Sequence, residues 1–408
     1  MVGLRGKLKT YSSRFMLKRL VYAAFAACML IATGHTIKIE IAGGNVEPEP
    51  IAVVGPGEVG NSELDGIAQI IRNDLELSGL FRIVDHSCDA CTIKTDGSSQ
   101  HSTNGGARYL LKMNNPREGT LTDMITGKVL LKISTTVSDS RRAAHDIADT
   151  AFKRITNEDG FFNTHIAYVE TVPGLSSTRR RTRIVLVDQD GFNRMQLTDG
   201  KRLDLTPRAS FDGRYIAYAS IDDNARNRTR RAASAQIIDV RARSVRQVID
   251  GRMLAELSRV NGGRPVQMSY APRLSPDGSR AVLAIIIGGH SAICEVNFMT
   301  GKIRRLTELH GIDTSPSYLQ DGRILFTSDR DGQEAVYRME ADGSNVERLS
   351  RGDGKYSQPA QSPRGDLIAF TKQYKGRFFI GVMKTDGTGE RLIASGDVVE
   401  APTWAPNG

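Results

Sequence analysis

The chain lacks any apolar run long enough to cross a bilayer. Its one sustained stretch, Leu20–Ala32, has 13 residues, where an ordinary spanning helix needs about 20. It also lacks a Gly-x-Ser-x-Gly turn and a His-Glu-x-x-His helix, and its seven histidines are scattered singly, so nothing resembles a hydrolase constellation. Cysteine is scarce: there are four, with a single C-x-x-C at Cys88 and Cys91. A distributed positive charge is missing too, although the formal net charge is +9. Arg5, Lys7, Lys9, Arg14, Lys18 and Arg19 carry +6 within the first 34 residues, leaving 49 basic against 46 acidic residues elsewhere. That balance is ordinary for a soluble surface and makes no case for nucleic acid.

The basic start, the apolar stretch and Thr33-Gly34 form the pattern of a secretory signal. Residues 1–34 are therefore predicted to be a signal peptide removed near Gly34, with His35 first in the exported chain. Phe25-Ala26-Ala27-Cys28 resembles a lipoprotein cleavage box, but the apolar run continues past Cys28.

What the chain does have is a repeat. Pro272-Arg273-Leu274-Ser275-Pro276-Asp277-Gly278 recurs, with variation, in segments ending at Gly322, Gly365 and Gly408, at spacings of 44, 43 and 43 residues. A diverged copy ends at Gly213, 65 residues before Gly278. A period in the low forties with several short strands per unit predicts β-propeller blades. In the unit from Pro316, strand A precedes the turn Asp321-Gly322; Ile324–Phe326, Ala335–Tyr337 and Val346–Leu349 then read as strands B, C and D. The segment after Phe162 has B, C and D strands but no A strand of its own. Five A strands and five B–C–D sets follow from this count, in residues 161–408. The longest unit carries extra residues around Asp223–Ser234 and Gly251–Tyr270.

Residues 35–160 read as a mixed α/β domain. Ile37, Ile39 and Ile41 alternate with polar residues, and Ile51–Val54 is a continuous apolar strand. Ser62-Glu63-Leu64-Asp65 has capping-box spacing and opens a helix with Leu64, Ile67, Ala68, Ile71 and Leu75 on one face. Arg141–Ile155 predicts a second helix, with Ala144, Ile147, Ala148, Ala151 and Ile155 inward.

Three motifs invite chemistry. Gly55-Pro56-Gly57-Glu58-Val59-Gly60 with Asp85 imitates a dinucleotide fingerprint, but the helix cap falls after the last glycine and no further βαβ units follow. His86, Cys88, Cys91 and His101 have zinc-ligand chemistry; a local disulfide or free thiols is the plainer reading of a single C-x-x-C. Neither cofactor nor metal is expected. Arg179, Arg180, Arg181 and Arg183 share their position, the B–C loop, with Arg226, Arg228, Arg230 and Arg231 of the next blade. Equivalent loops emerge on one face, so they form either a solvated edge or a basic rim for an acidic partner.

Taken together, the chain resembles the TolB family of the Tol–Pal envelope system. The resemblance rests on Gly66–Leu75 with Ser78–Phe81, on Arg141–Asp149, on Gly160–Val169 and on the Ser-Pro-Asp-Gly repeat. It implies an exported α/β domain followed by a six-bladed propeller, without enzymatic activity. It further implies a periplasmic, monomeric scaffold that supports envelope integrity and outer-membrane invagination during division. A Pal-type lipoprotein would bind at the channel mouth and a TolA-type inner-membrane protein at the mature N-terminus. By that resemblance the first site comprises Thr314, Ser315, Ser357, Gln358, Glu400 and Ala401. The second comprises His35, Thr36, Ile37, Lys38, Ile39, Glu40 and Ile41. No small-molecule substrate is implied. The chain departs from the family by ending about one blade short, favouring a gapped six-blade ring, and by a polar stretch from Cys88 to Met124. Its arginine-rich loops are also long for the family. The alternatives are a propeller that gates a serine peptidase, which would need a further catalytic domain, and a glycan-binding propeller. The latter wants channel aromatics, and only Phe211, Tyr318 and Trp404 lie in A strands.

Overall fold

Short apolar stretches separated by glycine turns dictate a strand-rich chain, and the computed structural model describes residues 40–41, 47–55, 62–84, 106–173, 181–221 and 233–408. The chain begins with β1 (Glu40–Ile41), β2 (Glu49–Val54), α1 (Ser62–Leu77) and β3 (Phe81–Ile83). It continues with β4 (Tyr109–Asn115), β5 (Glu118–Asp123), β6 (Lys128–Ser134) and α2 (Ser140–Thr156). Strands β2 to β6 form one sheet in the order β3-β2-β4-β5-β6; β2 is parallel to both its neighbours and the rest are antiparallel.

The apolar stripes of the two helices close over this sheet. Ile67, Ala68, Ile71 and Leu75 of α1 and Ala144, Ile147, Ala148 and Ala151 of α2 join Ile51, Leu111, Met113 and Leu121 in one buried core. Asp139 caps α2 by accepting a hydrogen bond from Arg142 N at 2.8 Å. Asn157 ends the helix in the left-handed region at φ 62°. Helix α1 includes Ser62 as a helical residue, so the expected capping box lies inside the first turn. The stretch that reads as polar contributes core strands: Tyr109–Asn115 and Glu118–Asp123 are two of the sheet's three interior strands.

The second part of the chain is a propeller of five blades. The first is three-stranded among the described residues: β7 (His165–Thr171), β8 (Thr182–Asp188) and β9 (Met195–Gln196). The second has β10 (Leu203–Ala209), β11 (Tyr215–Ile221), β12 (Ala233–Asp239) and β13 (Ser244–Gln247). Helix α3 (Gly251–Val260) then precedes β14 (Val266–Leu274), β15 (Arg280–Ile287), β16 (His290–Asn297) and β17 (Lys302–Arg305) of the third. The fourth comprises β18 (Asp313–Tyr318), β19 (Ile324–Ser328), β20 (Ala335–Met339) and β21 (Glu347–Arg348). The fifth has β22 (Lys355–Gln361), β23 (Leu367–Tyr374), β24 (Arg377–Lys384) and β25 (Arg391–Gly396), with β1 added outside β25.

The repeated motif is a hairpin device. Ser275 Oγ donates to Asp277 Oδ1 at 2.5 Å and accepts from Arg280 N at 3.0 Å, while Gly278 turns at φ 68°. Ser210 and Ser362 close their own A–B hairpins in the same way. The Ser275 and Ser279 hydroxyls hold the Asp277 carboxyl down to a pKa of about 2. Blade seams repeat as well. Arg304 donates to Ala341 O at 2.9 Å, and Arg338, one blade on, donates to Thr385 O at 3.0 Å. At both seams a glycine, Gly343 or Gly387, lies so near the preceding blade that a Cβ would strike the carbonyl of Leu306 or Leu349.

Three features differ from the sequence reading. The insertion at Gly251 folds as α3, capped by Asp250 and buried at Leu257. The described end of the predicted Ile37–Ile41 strand does not join the α/β sheet. Instead β1 pairs antiparallel with β25, Glu40 opposite Ser395 and Ile41 opposite Ala394, covering an otherwise open edge. The fifth Pro-containing segment, expected as an A strand, forms no strand. It is held by side chains: Trp404 Nε1 donates to Ala360 O at 2.9 Å, and Asn407 Nδ2 donates to Asp159 O at 2.9 Å.

Candidate binding site at the propeller channel

The inner strands β10, β14, β18 and β22 pack successively on one another, as strands around a propeller channel must. Each carries an irregularity at the same repeat position. The ladder with the neighbouring strand slips between Leu205 and Arg208, Tyr270 and Arg273, Thr314 and Ser317, and Ser357 and Ala360. These are β-bulges, each containing an X-Pro pair. At three of them, and again before Pro402, X is a non-glycine residue in the left-handed region: Thr206 (51°), Ser315 (49°), Gln358 (54°) and Ala401 (58°). Such a conformation is uncommon for any side chain, and a following proline disfavours the helical region further. Each instance costs on the order of 1–3 kcal/mol and persists only where its surroundings over-determine it.

The six positions singled out for the channel mouth map onto this device. Ser315, Gln358 and Ala401 are the strained residues, and Thr314, Ser357 and Glu400 immediately precede them. Gln358 Oε1 accepts from Ala401 N at 2.7 Å and from Thr371 Oγ1 at 2.9 Å, tying the fifth blade to the segment that follows. Glu400 is exposed.

Sequence reasoning passed over two arginines here. Arg208 and Arg273 directly follow the prolines of their bulges, and each opens the ladder beyond the slip: Arg208 opposite Ala217, Arg273 opposite Val282. The same register position holds Ser317 and Ala360 in the next two blades. The available signal was the Pro-Arg pair at one repeat position in consecutive units.

The basic rim fares differently. Arg179, Arg180, Arg226, Arg228, Arg230 and Arg231 lie outside the described residues, as do His35–Ile39, His86, Cys88, Cys91, His101 and most of the glycine-rich fingerprint. Arg183 is not a loop residue but lies within β8, where it pairs with Glu170 and donates to Gln196 Oε1 at 2.9 Å. Its charge is already engaged. Cys294 is buried in the third blade.

A second polar constellation joins the α/β domain to the first blade. Buried His145 on α2 places Nδ1 2.7 Å from Oδ2 of fully buried Asp74 on α1. Gln189, beyond β8, donates to Asp74 Oδ1 at 3.0 Å. On the other side of the ring, His145 Nε2 is 3.6 Å from Asp190 Oδ2. Arg141 pairs with that same carboxylate and stacks over Phe192, 3.9 Å from the ring centroid. Asp74, His145 and Asp190 are the set of three potential metal ligands that lie close together among the described residues. The ring turns its nitrogens to opposite carboxylates, and Arg141 already occupies Asp190. The geometry is that of a charged clasp between domains, not of a metal centre.

Next to it runs the linker. Asp149 accepts from Phe162 N at 2.7 Å and Asn163 N at 3.2 Å. Gly160 sits so tightly that a Cβ would lie 2.5 Å from Asp149 Cα. Burial pushes the Asp149 carboxyl above the ordinary carboxylate range; the two linker N–H groups oppose this, and the Asp74 charge adds to it. A raised folded-state pKa means the folded protein takes up this proton first as pH falls. Stability from this group is thus fully present below the ordinary carboxylate pKa and lost as pH rises through the folded-state value. Urea denaturation of wild type and Asp149→Asn should show wild type gaining on the variant as pH is lowered from 7 towards 4. A constant difference across that range would contradict the assignment.

Comparison with known proteins bears on the whole chain. The family described as TolB amino-terminal domain matches residues 37–109, and the one described as TolB beta propeller domain matches residues 152–408. The Tol-Pal system protein TolB of Gluconobacter oxydans (strain 621H) is 36% identical over 402 residues, covering 95% of this chain and 81% of that protein. The Tol-Pal system protein TolB of Rickettsia prowazekii (strain Madrid E) is 34% identical over 295 residues, covering 67% of this chain and 60% of that protein. Among solved structures, TolB from Acinetobacter baumannii superposes with a TM-score of 0.71 at 22% identity, over 91% of this chain and 89% of that one. At that identity the likeness is one of fold.

Proposed function

The chain belongs to the TolB family, and from that premise we propose that it is a non-enzymatic, monomeric scaffold of the periplasm, working by binding at both ends of its length. A Pal-type lipoprotein docks at the channel mouth, on Thr314, Ser315, Ser357, Gln358, Glu400 and Ala401. A TolA-type protein takes the mature N-terminal segment, His35–Ile41. The observation that carries the first assignment is the recurrence of one strained X-Pro bulge in successive inner strands. Strain kept at equivalent positions points to a surface held for a partner. For the second, Glu40 and Ile41 already pair as an added strand, the form in which a short segment is passed to another sheet edge. Export follows from the signal pattern of residues 1–34, cut near Gly34. The six-blade reading is supported by Ala401-Pro402, which repeats the left-handed residue before proline one unit after Gln358-Pro359.

The test is calorimetry of the mature chain with the soluble domain of a Pal-type lipoprotein, alongside capture from gently solubilised envelopes. Saturable one-to-one binding, weakened at least tenfold by Gln358→Ala with Ser315→Ala, is the expected outcome. A folded chain that binds neither a Pal-type nor a TolA-type protein would refute the scaffold reading. Envelope integrity and outer-membrane invagination at division are the processes this scaffold would serve.

A further inference from the structure

Most part-buried arginines among the described residues meet carboxylates: Arg280 meets Glu295, Arg330 meets Asp313, Arg141 meets Asp190, and Arg338 meets Glu347. Arg72 instead donates to Val53 O and Gln69 Oε1 on the surface of the α/β domain. Arg208 and Arg273, in the propeller, also depart from that pattern. Among the described residues neither forms an ion pair; their hydrogen bonds go to backbone carbonyls, Arg208 to Ala401 O at 3.1 Å and Arg273 to Pro272 O at 3.3 Å. Both guanidiniums are held below their ordinary pKa by burial, Arg273 most strongly, with the Arg208 charge adding to its burden.

Their placement explains the proximity. They occupy one register position in adjacent inner strands, β10 and β14, where β18 and β22 have Ser317 and Ala360. Arg208 reaches the carbonyl of Ala401, in the segment that follows the fifth blade. Two donor forks without a carboxylate thus lie on neighbouring inner strands, with smaller side chains at the same position in the next two. Holding two like charges in an enclosed setting without a counter-charge is unfavourable unless something supplies one. The guanidinium fork matches a carboxylate in shape and donor spacing better than any other biological anion short of phosphate.

We propose that Arg208 and Arg273 form a receptor inside the channel for an acidic side chain, aspartate or glutamate, carried on a polypeptide segment that enters from the bulged rim. This rests on the reading of the channel mouth as a partner surface, and it adds the chemical class of the group recognised there.

The full mature chain is titrated by calorimetry with three probes: a hexaglutamate peptide, citrate, and the soluble domain of a Pal-type lipoprotein. Hexaglutamate should bind wild type, and R208Q/R273Q should weaken it at least tenfold, with a thermal midpoint equal to or above that of wild type because like-charge repulsion is gone. Arg241→Gln with Arg243→Gln, exposed on the β12–β13 turn, should leave binding unchanged. If the double variant fails to fold, R273Q alone carries the comparison. No binding of hexaglutamate to wild type, or equal binding to R208Q/R273Q, overturns the proposal. Binding of citrate without the peptide assigns the pair to a small free acid and overturns it too. Hexaglutamate binding without lipoprotein binding would uphold the receptor and refute the Pal reading. Equal lipoprotein binding by wild type and R208Q/R273Q would do the reverse.

Discussion

Replacing Phe162 with alanine should cost about 3–5 kcal/mol, the range for truncating a fully buried aromatic. Phe162 is the last residue of the α/β core before the chain leaves for the propeller, and it has no exposed surface. Its ring meets Phe152 edge-on at 5.5 Å and Phe161 at 4.8 Å, and Phe152 in turn meets Phe81 at 6.1 Å. Removing it takes out the ring's apolar burial and leaves a cavity flanked by α2 and β3, which the linker cannot fill. The linker is pinned on both sides, by the Asp149 bonds to residues 162 and 163 and by the tight seat of Gly160. Urea denaturation followed by circular dichroism checks this. Phe162→Leu, which keeps most of the volume, should lose less than half as much. A Phe162→Ala loss under about 1 kcal/mol, the level of a surface change, would show that the linker is not anchored by this ring.

Glu295→Ala should be comparably severe, about 3–5 kcal/mol, because it breaks a buried ion pair by removing one partner. Glu295 is 4% exposed. Its Oε1 accepts from Tyr318 OH at 2.9 Å and from Arg280 at 3.2 Å, and its Oε2 accepts from Arg304 Nε at 2.8 Å. Tyr318 belongs to the inner strand of the next blade, so one carboxylate fastens the third blade to the fourth. Alanine would leave the buried phenol without an acceptor and two guanidiniums without their charge. Burial, reinforced by the Glu295 charge, already drives the Tyr318 hydroxyl far above its ordinary pKa, so the hydroxyl stays a donor. Glu295→Gln keeps an acceptor for it and should cost less. Arg304→Ala, at a side chain about half exposed, should cost less still, because exposed partners contribute little. If Arg304→Ala proved the most damaging of the three, the carboxylate would not be the fastener.

The blades were legible because their cause is local and repeated. In three blades a serine, an acid and a glycine close the A–B hairpin within seven residues, and apolar runs on either side must pair. The helices of the first domain were legible for the same reason: Ile67, Ile71 and Leu75, or Ala144, Ile147 and Ala151, fall on one face by spacing alone. The misreadings share a different cause. Leu111, Met113 and Leu121 look isolated in a polar stretch until β4 and β5 are set beside β2. The alternating residues before Ile41 read as a strand of their own domain, yet the described pair lies on β25, more than 350 residues away in the chain. Arg183 reads as part of a basic loop until its strand brings it to Glu170.

The channel shows where the boundary falls. Sequence alone determined that Pro207-Arg208 and Pro272-Arg273 occupy one position in two units, since the turn that follows each sets the register. Whether those arginines would find carboxylates, face solvent or face each other depended on how the blades curve about an axis. That curvature is set by contacts between strands dozens of residues apart, Tyr318 to Glu295 and Arg208 to Ala401 among them. Short-range periodicity specifies the pieces because it needs only neighbours along the chain; where Arg208 and Arg273 find their partners needed the whole ring.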